Sequence, residues 1–198
     1  MKLKNKKQLI LEAAFEVFSN KNYANARVEE IAEKAGVGKG TIYEYFQSKA
    51  HLFLEMHKWQ MEEYLARMEK GLSREASPSE NIYMLIKNHT LFTKKFNNIA
   101  GRLVDEVGFN TEFNKEHRQV MLNTYKRLLS RVKEILDTGI LMGEFRPMDS
   151  QLVADVLFGT MGGISHAMIL SGNKQDVEEV SRTITDLLLN GMLNKRSM

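Results

Sequence analysis

Apolar residues recur three and four positions apart along nearly the whole sequence, between residues 8 and 194. That spacing places them on one face of an α-helix, whereas no run alternates polar and apolar residues as a half-buried strand does. The 198 residues include only two prolines, Pro78 and Pro147, so few positions interrupt a long helix. The pattern therefore predicts an all-α protein.

The same periodicity divides the chain into helices joined by polar or glycine-bearing segments. The predicted helices cover residues 8–19, 27–35, 39–46, 49–72, 80–96, 98–107, 111–138, 150–171 and 174–194. Ser48 is the expected N-cap of the helix that begins at residue 49, and either Asp149 or Ser150 is that of the penultimate helix. We expect Gly139 and Gly143 to end the long helix that begins at residue 111.

The composition excludes several classes of protein. Cysteine is absent, which rules out a disulfide framework, a cysteine-ligated metal centre and a cysteine nucleophile. No window approaches the ~18 uninterrupted apolar residues of a membrane span. Glu12 and Glu16 interrupt the N-terminal apolar residues, so no signal-peptide core is present, and we expect a cytoplasmic protein with no membrane partner.

The positive charge of the chain is concentrated at its N-terminal end. Residues 1–50 contain 9 lysines and arginines against 6 acidic residues, whereas residues 51–198 contain 19 of each. An excess of this kind attracts polyanions, although a solvated helical face explains it equally well.

Residues 28–46 carry the most specific pattern in the sequence. An apolar helical face over 28–35 is followed by Gly36-Val37-Gly38 and by a second short helix that starts at Lys39. The glycines permit a tight turn, and Ala32 lets the two helices cross closely, as a helix-turn-helix requires. Such a motif presents its second helix to the DNA major groove, although a helical hairpin without a nucleic-acid role has the same spacing. A nucleotide-binding P-loop is excluded, because Glu33 stands where that motif requires glycine.

This motif and the helix before it resemble the DNA-binding domain of the TetR/AcrR family of bacterial transcriptional regulators. The resemblance covers about residues 8–55 and rests on Ala-Ala-Phe-Glu-Val-Phe at 13–18 and on Ile-Ala-Glu-Lys-Ala-Gly-Val-Gly-Lys-Gly-Thr-Ile-Tyr-Glu-Tyr-Phe-Gln-Ser-Lys at 31–49. It implies an all-α chain with an N-terminal three-helix, helix-turn-helix domain and a larger C-terminal helical domain for ligand binding and dimerisation. With the polar segment around Pro78 as the boundary, the predicted divisions are 1–50 for DNA binding, 51–72 for a connecting helix and 79–198 for ligand binding and dimerisation.

The resemblance also implies which residues bind DNA. The family's recognition helix falls on Lys39 to Tyr45, and the implied contacts are Lys39, Gly40, Thr41, Tyr43, Tyr45 and Lys49. The sequence departs from the family at Ala26 and Arg27, where a hydroxyl residue usually begins the second helix, and Arg27 is the expected substitute for its phosphate contact. It departs again at Gly38, where serine is common, and at Ala50, where an acidic residue is common.

The C-terminal segments are rich in aromatic and methionine side chains. The candidate ligand-binding residues are Trp59, Phe92, Phe96, Phe109, Phe113, Met121, Tyr125, Phe158 and Met161. Taken singly, each is explained by ordinary helical core packing. The resemblance implies instead a deformable apolar pocket between helices that takes a small hydrophobic effector, and methionine suits such a pocket because it repacks around varied ligands.

Three glycines, Gly159, Gly162 and Gly163, lie within an apolar helix. Each costs up to ~1 kcal/mol there, so the close approach of another helix is the expected reason for them. Together with the amphipathic last helix they predict a four-helix bundle across a two-fold axis, and hence a homodimer, although close packing within one chain has the same signature. The five histidines show no metal-ligand spacing, so we expect neither a metal nor a cofactor.

The sequence thus favours a ligand-responsive transcriptional regulator, a repressor, that binds a palindromic double-stranded DNA operator as a homodimer and is released by a small apolar or amphipathic effector. The alternative is an effector-independent dimeric DNA-binding protein of the same fold that acts structurally or through a protein partner. An enzyme that uses the helix-turn-helix as a scaffold is a third class, and the absence of a catalytic constellation in the sequence argues against it.

Overall fold

The computed structural model describes residues 5–21, 23–106, 111–172 and 174–192, with the backbone alone for residues 96–106, 111–114, 117, 169 and 192. Over this part of the chain it contains eight α-helices and no β-strand, which confirms the all-α prediction. The helices are α1 Lys6–Asn20, α2 Val28–Ala35, α3 Lys39–Tyr45, α4 Lys49–Glu69, α5 Pro78–Glu106, α6 Thr111–Leu141, α7 Ser150–Leu170 and α8 Val177–Met192.

The chain forms two compact units, and three helices contribute to both. The first unit comprises Met1–Glu63 and Asn98–Leu122, and the second comprises Tyr64–Asn97 and Asn123–Met198. Helices α4, α5 and α6 each pass from one unit into the other.

The first unit has a small aromatic core. Phe18 from α1, Phe46 at the end of α3 and Phe53 from α4 are at most 2% exposed, and the Phe18 and Phe53 rings meet edge to face at 4.9 Å. Ser48 caps α4 as predicted, because its Oγ accepts a hydrogen bond from the backbone N–H of His51 at 3.1 Å.

The second unit has a larger apolar core, in which parts of α4 to α7 pack with α8 against one side. Fifteen buried residues form it: Leu65, Met68, Ile82, Leu85, Ile86, Leu128, Val132, Ile135, Leu136, Phe145, Ala154, Leu157, Met161, Ile164 and Met168. Asp149 is the cap of α7, since its Oδ1 accepts from the backbone N–H groups of Gln151 and Leu152 at 2.9 and 3.1 Å. Of the two predicted caps, the carboxylate therefore takes the role, and Ser150 is the first helical residue.

Two predicted helix boundaries are wrong. Residues 80–96 and 98–107 were expected to form separate helices, but α5 runs unbroken to Glu106, since no proline lies within this stretch to interrupt it. Gly139 was expected to end the sixth helix, but α6 continues to Leu141, and Gly143, at a φ of +72°, lies in the turn that follows. A Cβ at Gly139 would overlap the buried ring of Phe145, which explains why glycine stands within this helix.

Candidate DNA-binding and effector sites

Helices α2 and α3 form the predicted helix-turn-helix. Gly36 ends α2 in the left-handed region at a φ of +67°, and the N–H of Val37 donates to the carbonyl oxygen of Ala32 at 3.0 Å, so the chain reverses within two residues. Ile31 and Ile42, each at most 1% exposed, anchor the inner faces of the two helices in the core. Burial of these inner faces leaves the opposite side of α3 at the surface.

Four of the predicted DNA contacts lie exposed on α3. Lys39 and Gly40 are exposed at its first turn, and Tyr43 and Tyr45 expose 46% and 42% of their surface. The Lys39 ammonium lies 6.0 Å from the centre of the Tyr43 ring, so the two side chains share one surface. Thr41 is half-buried at the start of the same helix. The arrangement combines a cation with two phenolic hydroxyls, which are groups that donate to DNA phosphates and base edges.

The two remaining predicted contacts have different surroundings. Arg27 is exposed at the N-cap of α2, where no side-chain hydrogen bond caps the helix. Lys49 is half-buried, with its ammonium 4.6 Å from the Tyr23 ring centre and 3.4 Å from the carbonyl oxygen of Ala24. Burial lowers the pKa of Lys49. Lys49 therefore ties the start of α4 to the segment between α1 and α2, and its contact with DNA stays a prediction.

An ion pair at the start of α3 was not foreseen from the sequence. The Lys39 Nζ lies 2.5 Å from an oxygen of Glu29 on α2, and both side chains are more than half exposed. The hydrogen bond from Lys39 lowers the pKa of Glu29, and the same bond raises the pKa of Lys39. A phosphate that reaches Lys39 has to compete with this carboxylate.

The predicted ligand-binding residues are divided between the two units. Trp59 and Met121 belong to the first unit, where the Trp59 ring meets Phe15 edge to face at 6.1 Å. The second unit contains Phe92, which meets Tyr64 at 4.8 Å, a Tyr125–Phe158 ring pair at 4.8 Å, and Met161, which is 3% exposed in the core. Phe109 and the side chains of Phe96 and Phe113 lie outside the described residues.

A buried polar network crosses the core of the second unit. The Nε2 of His89 lies 2.8 Å from the carbonyl oxygen of Met161, which can only accept, so this nitrogen carries the proton. The Nδ1 therefore accepts from the Tyr64 hydroxyl at 3.0 Å. The hydroxyl of Ser165 lies 2.9 Å from Nε2 and 3.0 Å from that of Thr93. These bonds join α4, α5 and α7 through side chains that share one network.

Burial fixes the charge state of this network. Desolvation lowers the pKa of His89 to about 4 and raises the pKa of Tyr64, so both side chains are neutral near pH 7. The sequence contained a signal for the network, because His89 shares the apolar face of its helix with Leu85 and Ile86. That signal identified a buried histidine but not its partners, which come from distant parts of the chain.

A groove of about 540 Å³ opens on the second unit where the end of α4 meets α5. Its lining residues are Arg67, Lys70, Gly71, Met84, Asn88, Leu91, Phe92, Lys94 and Lys95. As far as the structure describes it, this lining includes four basic residues and no acidic one. Phe92 is the one residue of the predicted ligand set among them. We call this feature the basic groove.

The described residues contain neither a membrane-spanning helix nor a metal-binding cluster. None of the helices in the described part of the chain is long and apolar enough to cross a membrane. Within the same residues, no three histidine, cysteine or acidic side chains are grouped in a way that could hold a metal ion.

Comparisons with known proteins match the chain over almost its whole length. Residues 10–56 match the family model described as bacterial regulatory proteins, tetR family, and residues 57–191 match the C-terminal region of YsiA-like protein. The fatty acid metabolism regulator protein of Bacillus subtilis is 30% identical over 98% of this chain and 100% of its own. The regulator AcrR of Shigella flexneri is 24% identical over 92% of this chain and 87% of its own.

Solved structures of known proteins also match the chain over almost its whole length. The fatty acid degradation regulator FadR from Bacillus halodurans is 26% identical with a TM-score of 0.75, and FadR from Bacillus subtilis in complex with stearoyl-CoA is 28% identical with a TM-score of 0.75. Each comparison covers 93% of this chain and 98% of the other. The helix-turn-helix of α2 and α3, the helical C-terminal part and these matches together show that the chain belongs to the tetR family of bacterial regulatory proteins, which are DNA-binding transcription regulators.

Proposed function

We propose that this protein is a ligand-responsive repressor that binds a palindromic operator as a homodimer and leaves it when a small amphipathic effector binds. The observation that carries the proposal is the exposed side of α3. Lys39, Tyr43 and Tyr45 lie at the surface there, whereas Ile42 on the other side of the helix is buried in the core. Arg27, Gly40, Thr41 and Lys49 complete the proposed DNA contacts. The divisions 1–50, 51–72 and 79–198 remain the proposed domains.

Dimerisation is supported by an unpartnered apolar stripe on α7 and α8. Leu152, Val156 and Leu170 expose 62%, 53% and 74% of their surface along α7, and Leu187 exposes 68% on α8. Between the α7 leucines, Gly159 and Gly163 are exposed, and a Cβ at either position would meet nothing within 4 Å. Such a stripe lets a second copy approach closely, and burying it would remove these side chains from water.

The effector class is supported by the relatives and by the second unit. The B. subtilis FadR structure contains stearoyl-CoA, and the relative that is 30% identical to this chain is named as a fatty acid metabolism regulator. In this chain, Phe92, Phe158 and Met161, with the Tyr125 ring against Phe158, supply apolar surface in the unit that also contains the basic groove. We therefore propose a long-chain acyl compound as the effector.

Release of DNA requires that the effector bind the released conformation more tightly than the DNA-bound one. We propose α4 as the connection, because it starts directly after α3 and its last turn belongs to the second unit. Two half-sites in successive major grooves require reading heads about 34–36 Å apart, so a movement of a few ångströms in one head misaligns the pair.

The test is operator binding by fluorescence anisotropy, with DNA from upstream of the gene and a titration of palmitoyl-CoA. We expect salt-dependent binding that palmitoyl-CoA abolishes and that Lys39→Ala weakens. Binding that no acyl compound affects would favour the effector-independent alternative. Failure of the protein to bind any upstream DNA would refute the proposal.

A further inference from the structure

We infer that the basic groove binds the anionic head group of an amphipathic effector, with the ammonium groups of Lys70 and Lys94 as its charge contacts. The inference rests on the proposed function and adds to it the location of the head group and the residues that bind it. The groove joins four cationic side chains to an apolar wall, and no acidic residue among the described ones lines it. This combination fits a ligand that carries both a negative charge and a hydrocarbon chain.

The charge in the groove comes from two helices. Arg67 lies in the last turn of α4 and Lys70 directly follows that helix, whereas Lys94 and Lys95 are adjacent on α5. Lys94 Nζ donates to the carbonyl oxygen of Gln175 at 3.1 Å, and this neutral acceptor positions the ammonium without cancelling its charge. Among the described residues, neither Lys70 nor Lys94 forms an ion pair with a carboxylate. Like charges on neighbouring helices repel, and an anion between them relieves that repulsion.

The wall of the groove is apolar and open. Leu91 exposes 48% of its surface, and Phe92 is held in place by its edge-to-face contact with Tyr64. Gly71 also lines the groove at a φ of +85°, and a side chain there would crowd Met84, because its Cβ would stand 2.9 Å from the Cε of Met84. An inorganic anion would leave this apolar surface in water, whereas a hydrocarbon chain would cover it.

The groove also contacts the end of the proposed connecting helix. The side-chain amide of Asn88, which lines the groove, donates to the carbonyl oxygen of Lys70 at 2.7 Å. That carbonyl lies directly after α4. A head group bound by Lys70 therefore acts on the residues that fix where α4 ends. Because α4 begins just after the recognition helix α3, the ligand is thereby coupled to the DNA-binding end of α4.

Two sources supply this chemistry, a free fatty acid with one carboxylate and an acyl-CoA thioester with several phosphate charges. Isothermal titration calorimetry with palmitate, palmitoyl-CoA and CoA alone separates them, with the two acyl compounds kept below their critical micelle concentrations. The variant is the double substitution Lys70→Glu/Lys94→Glu. The control for a charge reversal away from the groove is the single substitution Lys126→Glu, at an exposed lysine of α6 that does not line the groove.

We expect the wild type to bind at least one of the two acyl anions, and the double variant to bind it at least tenfold more weakly. If the head group is a phosphate, the affinity for palmitoyl-CoA should be reduced more by the double substitution than the affinity for palmitate. It should also fall more steeply with added salt. The concentration that releases the operator should shift by the same factor as the binding constant. Lys126→Glu should match the wild type in both measurements.

Equal ligand binding by the double variant and the wild type would overturn the inference while leaving the proposed function intact. CoA binding as tightly as palmitoyl-CoA would refute the role of the apolar wall. A wild type that binds its operator but none of the three compounds would contradict both the groove and the acyl effector. Circular dichroism of each variant shows whether it is folded.

Discussion

Replacing Glu29 with glutamine should strengthen operator binding. Glu29 holds the Lys39 ammonium at 2.5 Å, so a DNA phosphate that binds Lys39 as proposed has to displace this carboxylate. Glutamine keeps the size of the side chain and removes its charge, so Lys39 becomes available and a negative charge beside the DNA disappears.

The expected gain in operator affinity follows from the exposure of the Lys39–Glu29 ion pair. The side chains of Lys39 and Glu29 expose 52% and 59% of their surface, and exposed ion pairs shift equilibria by roughly 1.5- to 5-fold. A dimer carries two such pairs, so the operator affinity should rise by roughly 2- to 25-fold. The slope of the logarithm of the binding constant against the logarithm of the salt concentration should become steeper by up to ~1 for each reading head. An unpaired lysine that binds a phosphate releases a counterion, whereas one that is already paired with a carboxylate does not.

The neighbouring pair provides a matched control. Glu30 lies next to Glu29 and pairs with Lys21 at 2.7 Å, away from α3. Glu30→Gln removes the same charge from the same helix turn but leaves Lys39 paired. Anisotropy titrations at four salt concentrations would compare the two variants. Equal affinities and slopes for Glu29→Gln and Glu30→Gln would show that Glu29 does not compete with DNA for Lys39.

A double-mutant cycle tests the same reasoning from the other side. If Glu29 acts through Lys39, the gain from Glu29→Gln should disappear when Lys39 is replaced by alanine. A gain that persists in the Lys39→Ala background would assign the effect to the general repulsion between Glu29 and DNA.

Three further outcomes are expected. Gly139→Ala should lower the melting temperature, because an overpacking cost of ~1–3 kcal/mol against Phe145 exceeds a helix gain of up to ~1 kcal/mol, whereas Gly191→Ala, with nothing within 4 Å, should not lower it. His89 has a pKa of about 4 in the folded protein against ~6.5 in the unfolded chain, so protons bind preferentially to the unfolded state. The free energy of unfolding should therefore fall as the pH drops from 6.5 to 4. In urea denaturation at several pH values, His89→Gln should flatten this dependence. Gly162→Glu places a charge on the exposed side of α7 where a monomer has room for it, so light scattering should report a folded monomer; a dimer as stable as that of the wild type would refute the α7 interface.

Local features of the sequence were sufficient for most of the fold. The helices follow from apolar spacing, and Ser48 and Asp149 cap α4 and α7 because an N-cap needs only a side chain and backbone N–H groups two or three residues ahead. The helix-turn-helix was predictable for the same reason, since Gly36 ends α2 within the motif itself. These interactions close within a few residues, so they can be predicted from the sequence without knowledge of any tertiary contact.

The tertiary structure decided which surfaces these helices present to each other. Gly139 has the sequence signature of a helix end, yet α6 passes through it, and the ring of Phe145 packed onto this position explains why the residue is glycine. The partners of His89 come from residues 25 positions before it and 72 and 76 positions after it. The basic groove likewise joins the end of α4 to α5. Periodicity specifies the buried face of a helix but not the side chain that meets it, and such pairings depend on the packing of helices that are distant in sequence.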